Sequence, residues 1–348
     1  MTRASSVRRR PRASASAAPS ANGRLDLGAI LEPIQQDLER VTDRLMVCLQ
    51  NPVARLVAYL ITAGGKRLRP ALVLLAGRSG DHEAASPQLI NLAAAVELIH
   101  TATLIHDDII DQAMLRRRQP TFHARFGTER AVLMGDYLYA TAFAVLAEVR
   151  DPYVTTRMAE VCQELSRGEF FEVDTRYNLA LTEAQYLQII RDKTASLIAG
   201  CCHLGAYVAK ADPQAVQRLT EFGWQYGMAF QVMDDCLDLI GKEAVVGKNL
   251  RADLDKGALS LPVIYLAGSL SNAERSRLFA PLVARKGVDR RFVQRVASAA
   301  RRSGAVDRAI ATARGYVDGA LKAVGHDEVV GCASTYEQLA RHELARAD

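Results

Sequence analysis

Two acidic clusters of the same spacing carry the chemistry this sequence can do. One is Asp107-Asp108-Ile109-Ile110-Asp111, the other Asp234-Asp235-Cys236-Leu237-Asp238, and each closes an apolar helical run. Residues i and i+4 share a helix face, so Asp107 and Asp111 are expected to point the same way. Three acids ending a buried apolar run are costly unless a cation neutralises them. One such cluster is weak evidence, because solvated helix ends often carry acids; two alike are much harder to reach by chance. Oxygen ligands with no His or Cys at metal spacing suit magnesium or manganese. Magnesium seldom sits in an all-protein cage and usually bridges carboxylates to substrate phosphates. If the clusters face each other across a cavity, six carboxylates converge and the substrate is phosphorylated.

Such a substrate needs cations beside the acids. Gly64-Gly65-Lys66-Arg67-Leu68-Arg69 offers pliable backbone and donors, and Arg116-Arg117-Arg118 begins just past the first acidic cluster. The planar fork of arginine pairs phosphate oxygens bidentately. Alone, each stretch reads as a solvated basic turn; beside two acidic clusters, each reads as a phosphate grip. His100 lies seven residues before Asp107, two turns along the same face. A core histidine bonded to a carbonyl would look the same. His106 beside Asp107 hints at an HD-type metal hydrolase, but the other histidines supply no matching pattern. Lys193-Thr194 opens a long apolar stretch, and Asp136 reads as structural.

These residues together resemble a known family. Gly64-Gly65-Lys66-Arg67-Leu68-Arg69-Pro70, Leu104-Ile105-His106-Asp107-Asp108-Ile109-Ile110-Asp111 followed by Arg116-Arg117, Gly135-Asp136-Tyr137-Leu138, Lys193-Thr194, and Phe230-Gln231 before Asp234-Asp235-x-x-Asp238 are similar in order and spacing to the trans-isoprenyl diphosphate synthases, the polyprenyl synthetase family. The match runs from about residue 25 to about residue 270. The resemblance implies an all-α, single-domain multi-helix bundle around a deep central cavity, with the acidic motifs at its mouth, and a homodimer. It implies head-to-tail condensation of isopentenyl diphosphate with an allylic diphosphate. By position, Asp107, Asp111 and Asp234 ligate magnesium, roughly three ions per site bridging to diphosphate, with Asp108, Asp235 and Asp238 as weaker ligands. Lys66, Arg69, His100 and Arg117 would hold isopentenyl diphosphate. Arg116, Lys193, Thr194, Gln231 and Lys248 would hold the allylic diphosphate.

The chemistry follows from charge. Diphosphate leaves poorly until its charge is neutralised. The allylic C–O bond then ionises, and the double bond of isopentenyl diphosphate attacks the cation. The released diphosphate can take the proton. An apolar cavity keeps out water that would quench the cation.

Three departures stand out. Arg118 occupies a position where the family has glycine. The family's Lys-x-x-Gly-x-Asp reads Lys248-Asn249-Leu250-Arg251-Ala252-Asp253, and a lysine expected after Gly257 is Ala258, with Lys256 two residues earlier. All the acids remain, which argues against a silent partner subunit. A class I terpene cyclase also opens with Asp-Asp-x-x-Asp, but its second metal motif differs and it needs no second basic grip. Product length is expected to depend on Ala102 and Thr103, one turn below Asp107. Both are small, which favours a product longer than C20 over a farnesyl or geranylgeranyl product. Ala95 would keep the channel open further down, and Phe143 or Tyr139 could form its floor.

The elements that must place these groups read as helices. Helical patterns cover residues 25–49, 53–63, 71–77, 87–111, 131–149, 154–173, 182–209 with a break, and 213–239. Loops are expected at 80–87, 112–127 and 241–257; a short helix at 261–268 and three or four amphipathic helices complete the chain. No period-2 alternation bounded by turns marks a strand.

Composition agrees with this reading. Hydrophobic residues make up 49% and aromatic residues 6%, a balance that leans to helix. The net charge of +5 comes from six arginines within residues 1–25; without them the rest is about −1, so the body is no basic nucleic-acid binder. Residues 1–24 read as a disordered Arg/Ser/Ala-rich tail, or as a transit peptide, though without an apolar stripe. The body, 25–348, is expected to be cytoplasmic, with at most peripheral membrane contact for product release. Six scattered cysteines without CxxC read as buried apolar residues in a reducing compartment.

Overall fold

The computed structural model describes residues 26–62, 67–116, 119–240, 254, 256–284, 289–325 and 330–346. The tail 1–24, Lys66, Arg117, Arg118, Lys248, Arg251 and Asp253 lie outside the described residues.

The architecture is all-α. Among the described residues the β structure is one antiparallel ribbon of two-residue strands, Leu115–Arg116 (β1) and Gln119–Pro120 (β2). The expected first helix is divided. Helix α1, Leu27–Leu31, passes through a 3-10 turn at Glu32–Ile34 into α2, Gln35–Cys48. Pro33 lies in that turn and has no N–H to continue a ladder. A 3-10 turn, Ala54–Val57, and α3, Ala58–Thr62, follow. Helix α4, Leu68–Gly77, begins three residues before the expected start and takes Pro70 into its first turn, where a missing donor costs nothing.

Helix α5, His82–Ile110, corrects the expected loop at 80–87. Asp81 caps it, accepting from the Ala84 N–H at 3.2 Å, so the helix starts five residues earlier and Pro87 sits inside it. From Leu92 to Ile99 nearly every side chain is buried, the signature of a helix enclosed all round. By length and composition α5 and α7 (Thr128–Ala147) could each cross a membrane; α5 is instead packed within the core. The short α6 is Phe122–Phe126. Helix α8 is Pro152–Asp174, α9 Glu183–Ile190 and α10 Ser196–Val208, with one π-helical turn, Arg191–Ala195, joining the last two. Helix α11, Pro213–Ile240, carries the second acidic cluster at its end. Then come α12 (Leu261–Ser269), α13 (Asn272–Val283), α14 (Arg290–Arg302), α15 (Ala305–Val324) and α16 (Ala333–Leu344).

Helix α5 packs on α7 and α4, α10 on α4 and α11, and α11 on α15. The buried side chains form two clusters: a larger one around α4, α5, α7 and α10, and a second around α9, the end of α11, α12 and α14.

Candidate active site

The ends of α5 and α11, the start of α4, the π turn and the last third of α8 enclose a cavity of about 620 Å³. Eleven of the residues singled out in the sequence line it: Arg69, His100, Thr103, His106, Asp107, Arg116, Tyr139, Lys193, Thr194, Gln231 and Asp234. Leu104, Leu165, Leu197 and Phe230 supply apolar wall. Cavities of a few hundred Å³ with a few convergent polar groups are the usual form of small-molecule sites.

Four of the six carboxylates line this cavity or the hollow beside it. Asp107 and Asp234 face the cavity, whereas Asp111 and Asp235 line an adjoining hollow of about 120 Å³. Asp107 and Asp111, one turn apart, thus line adjoining spaces. Lys193 and Gln231 line both spaces. Asp108 is 1% exposed and is held by a forked Arg116, with Nε at 2.9 Å and Nη2 at 2.8 Å from Oδ1. Burial raises the Asp108 carboxyl above its ordinary value and Arg116 opposes the shift.

Three of the other acids also have internal partners. Asp111 accepts from Arg176 at 2.7 Å and from Lys256 at 2.8 Å. Asp234 pairs with Arg346, which also holds Glu343 at 2.6 Å. Burial works against the Arg346 charge, but Asp234 and Glu343 outweigh it and hold the guanidinium above its ordinary value. Asp235 accepts from the Tyr186 hydroxyl at 2.6 Å and from Gln231 at 2.7 Å, and Thr194 donates to Gln231 at 2.7 Å. Thr194, Gln231, Asp235 and Tyr186 thus form one hydrogen-bonded chain. Arg69 donates to His100 Nε2 at 3.3 Å, while its own Nε is buried without a hydrogen-bond partner among the described residues.

Lys193 owes its place to the π turn, an insertion common at functional sites. Gly168 lets α8 come close: a Cβ there would meet the Lys193 backbone N at 2.4 Å. The approach brings Glu169, at 2.6 Å, and Glu172 onto the Lys193 ammonium. Burial disfavours that charge, but Glu172, Glu169 and Asp107 outweigh it and keep the lysine protonated. Asp107 responds in the other sense. Burial pushes its carboxyl up to about 7, with Lys193 pulling it down.

Sequence reasoning missed Glu169, Glu172, Arg176 and Arg346. A signal for the first pair was present, since two acids at i and i+3 follow the helical glycine Gly168. Nothing in the local sequence marks Arg346, which lies 112 residues beyond Asp234. His106, given no role, lines the cavity, stacks on Tyr139 and donates to the Val132 carbonyl at 3.2 Å. Gly135 makes room for its ring. Ala102 is fully buried in the larger core cluster and does not line the cavity; Thr103 does. A residue 100° further round the helix faces another neighbour. Ala95 and Phe143 also lie off the cavity lining, whereas Tyr139 is part of it.

The donor set is compatible with magnesium. It is all oxygen, and the Glu169 carboxylate, paired with Lys193 at 2.6 Å, adds a further acid to the cavity wall. Among those residues no three acidic, His or Cys side chains form a ready metal cage, as suits an ion completed by substrate oxygens.

Residues 50–299 match the family model of the polyprenyl synthetases. The chain is 38% identical over 300 residues to heptaprenyl diphosphate synthase component 2 of Geobacillus stearothermophilus, covering 85% of this chain and 92% of that one. It is 37% identical over 211 residues to the geranylgeranyl diphosphate synthase of Methanosarcina mazei, covering 59% and 64% respectively. Among solved structures, a polyprenyl synthase from Caulobacter crescentus CB15, complexed with calcium and isoprenyl diphosphate, superposes with a TM-score of 0.86 at 31% identity over 93% of this chain and 98% of that one. The fold is thus the all-α isoprenoid synthase fold, and the chain, a prenyl-transferring enzyme, belongs to the polyprenyl synthetase family.

Proposed function

We propose that the protein condenses isopentenyl diphosphate head-to-tail with an allylic diphosphate to make an all-trans polyprenyl diphosphate longer than C20. The observation that carries this reading is a single cavity that joins acids (Asp107, Asp234), cations (Arg69, Arg116, Lys193) and an apolar wall. Magnesium, roughly three ions per site, would be held by Asp107, Asp111 and Asp234, with Asp108, Asp235 and Asp238 in support. When bound, it would neutralise the allylic diphosphate and make it a leaving group. Arg116, Lys193, Thr194, Gln231 and Lys248 orient that diphosphate. Arg69 and His100, with Lys66 and Arg117, hold isopentenyl diphosphate so that its double bond faces the ionising carbon. Leu104, Leu165, Leu197 and Phe230 keep water from the cation. The departing diphosphate takes the proton, so no side chain need act as base.

Thr103 supports a long product, being a small side chain of α5 on the cavity wall. The Tyr139 ring in the same wall favours a second reading, a short-chain synthase. Products made from labelled isopentenyl diphosphate and farnesyl diphosphate separate the two, and a dominant C15 or C20 product would sink the long-chain reading. Diphosphate release that depends on both substrates supports the synthase. Release from the allylic substrate alone would mean a cyclase, and none would mean a non-catalytic subunit. Asp107→Ala is expected to cut turnover by a factor on the order of 10³; wild-type turnover in that variant would remove Asp107 from the metal site.

We also propose a homodimer in the cytoplasm. The exposed apolar Val132 and Leu133 on α7, 43% and 67% exposed, favour association.

A further inference from the structure

The geometry points to Arg176 and Lys256 as positioning residues that exchange partners: both hold Asp111, and both pass to the allylic diphosphate when that carboxylate turns to a divalent cation. The inference rests on the reaction proposed above and adds residues that neither the sequence motifs nor the main cavity assign.

Asp111 caps α5, and each of its oxygens is taken by a different cation. Arg176 reaches Oδ1 at 2.7 Å from the turn after α8, and Lys256 reaches Oδ2 at 2.8 Å from the turn before α12. The two turns are tied to each other. The Tyr177 N–H donates to the Gly257 carbonyl at 2.7 Å. Gly257 has φ +80°, and a Cβ there would strike the Tyr177 ring at 2.5 Å. Both cations are thereby placed on one hollow, which shares Lys193 and Gln231 with the main cavity.

The charges on that hollow balance. Its described lining holds three acids (Asp111, Glu172, Asp235) and three cations (Arg176, Lys193, Lys256). A divalent cation at Asp111 leaves the hollow with excess positive charge and Arg176 and Lys256 without their acceptor. Arg176 already has spare capacity, since its Nε is buried with no hydrogen-bond partner among the described residues. A diphosphate entering beside Lys193 and Gln231 supplies acceptor oxygens, and a guanidinium fork suits them. Ala258 lines the same hollow and leaves space there, so a cation could be returned from that position.

Calorimetry on the full-length protein tests the exchange without turnover. The probes are magnesium alone and magnesium with farnesyl thiodiphosphate, whose C–S bond resists ionisation. Lys256→Gln and Arg176→Gln are each expected to weaken analogue binding about tenfold, the scale of one charged hydrogen bond, while magnesium alone binds at least as well as to wild type. Lys256→Arg should stay within about twofold of wild type, and Ala258→Lys placed on Lys256→Gln should restore most of the loss. Unchanged analogue binding in both glutamine variants, in protein that melts like wild type, would overturn the exchange and leave the synthase reading standing. Loss of magnesium binding in parallel with the analogue would also overturn it, assigning both residues to the support of Asp111. If wild type binds no analogue with magnesium, the synthase reading falls and this inference with it.

Discussion

Burial raises the Asp107 carboxyl to about 7 against the pull of Lys193, while an aspartate in an unfolded chain ionises near about 4. The folded metal-free protein therefore keeps this proton over a range where the unfolded chain has lost it. A raised folded value gives stability that is complete below about pH 4 and is lost as pH climbs through about 7. Thermal melting of metal-free wild type should fall across that window more steeply than melting of Asp107→Asn; parallel curves would rule this out. Thr103 and Ala102 separate just as sharply. Thr103→Phe puts a ring into the cavity and is expected to shorten the product by at least one isoprene unit. Ala102→Phe overpacks a core and should cost about 1–3 kcal/mol of stability instead. Chromatography of the products and melting of both variants decide between them. The acids were legible from sequence because their i, i+4 spacing repeats in two distant segments. The partition of Asp107 and Asp111 between two hollows was not, because spacing gives a helix face and says nothing of what each neighbour presents to it.

Helices α8 and α9–α10 show what one glycine does for a site. Gly168 brings α8 against the π turn, and the distance of 2.4 Å from a virtual Cβ to the Lys193 N leaves no room for alanine. Backbone cannot yield as a flexible side chain can. Gly168→Ala should lower stability by about 1–3 kcal/mol and slow turnover as well, by moving Glu169 and Glu172 off Lys193. Melting and steady-state kinetics check both halves, and an alanine variant with unchanged turnover would detach this contact from catalysis. Most helices were legible in their apolar periods. The errors fell where a cap or a proline outweighed the period: Asp81 starts α5 ahead of Pro87, and Pro33 interrupts α1 and α2. The β1–β2 ribbon, two residues per strand, is too short to leave an alternating pattern.

At the scale of the molecule, the exposed apolar face of α7 bears on assembly. Leu133→Glu is expected to shift the proposed dimer toward monomer by about tenfold or more in dissociation constant. Light scattering across a dilution series reads this, and an unchanged mass would place the interface elsewhere. The all-α fold and its cavity follow from the helical pattern and the motifs together, whereas the division of the core into two clusters has no mark in the sequence. That division gives the π turn a further meaning. Ile189 and Ile190 before it belong to one cluster, and Leu197 and Ile198 after it belong to the other. A π turn is an α-helix with one residue too many, so the extra residue sets the phase between the two cores. Removing a single codon within 191–195 would restore an unbroken rod and rotate one half of it by about 100° against the other. The helical content would hardly change, yet either Lys193 or a whole apolar stripe would face the wrong way.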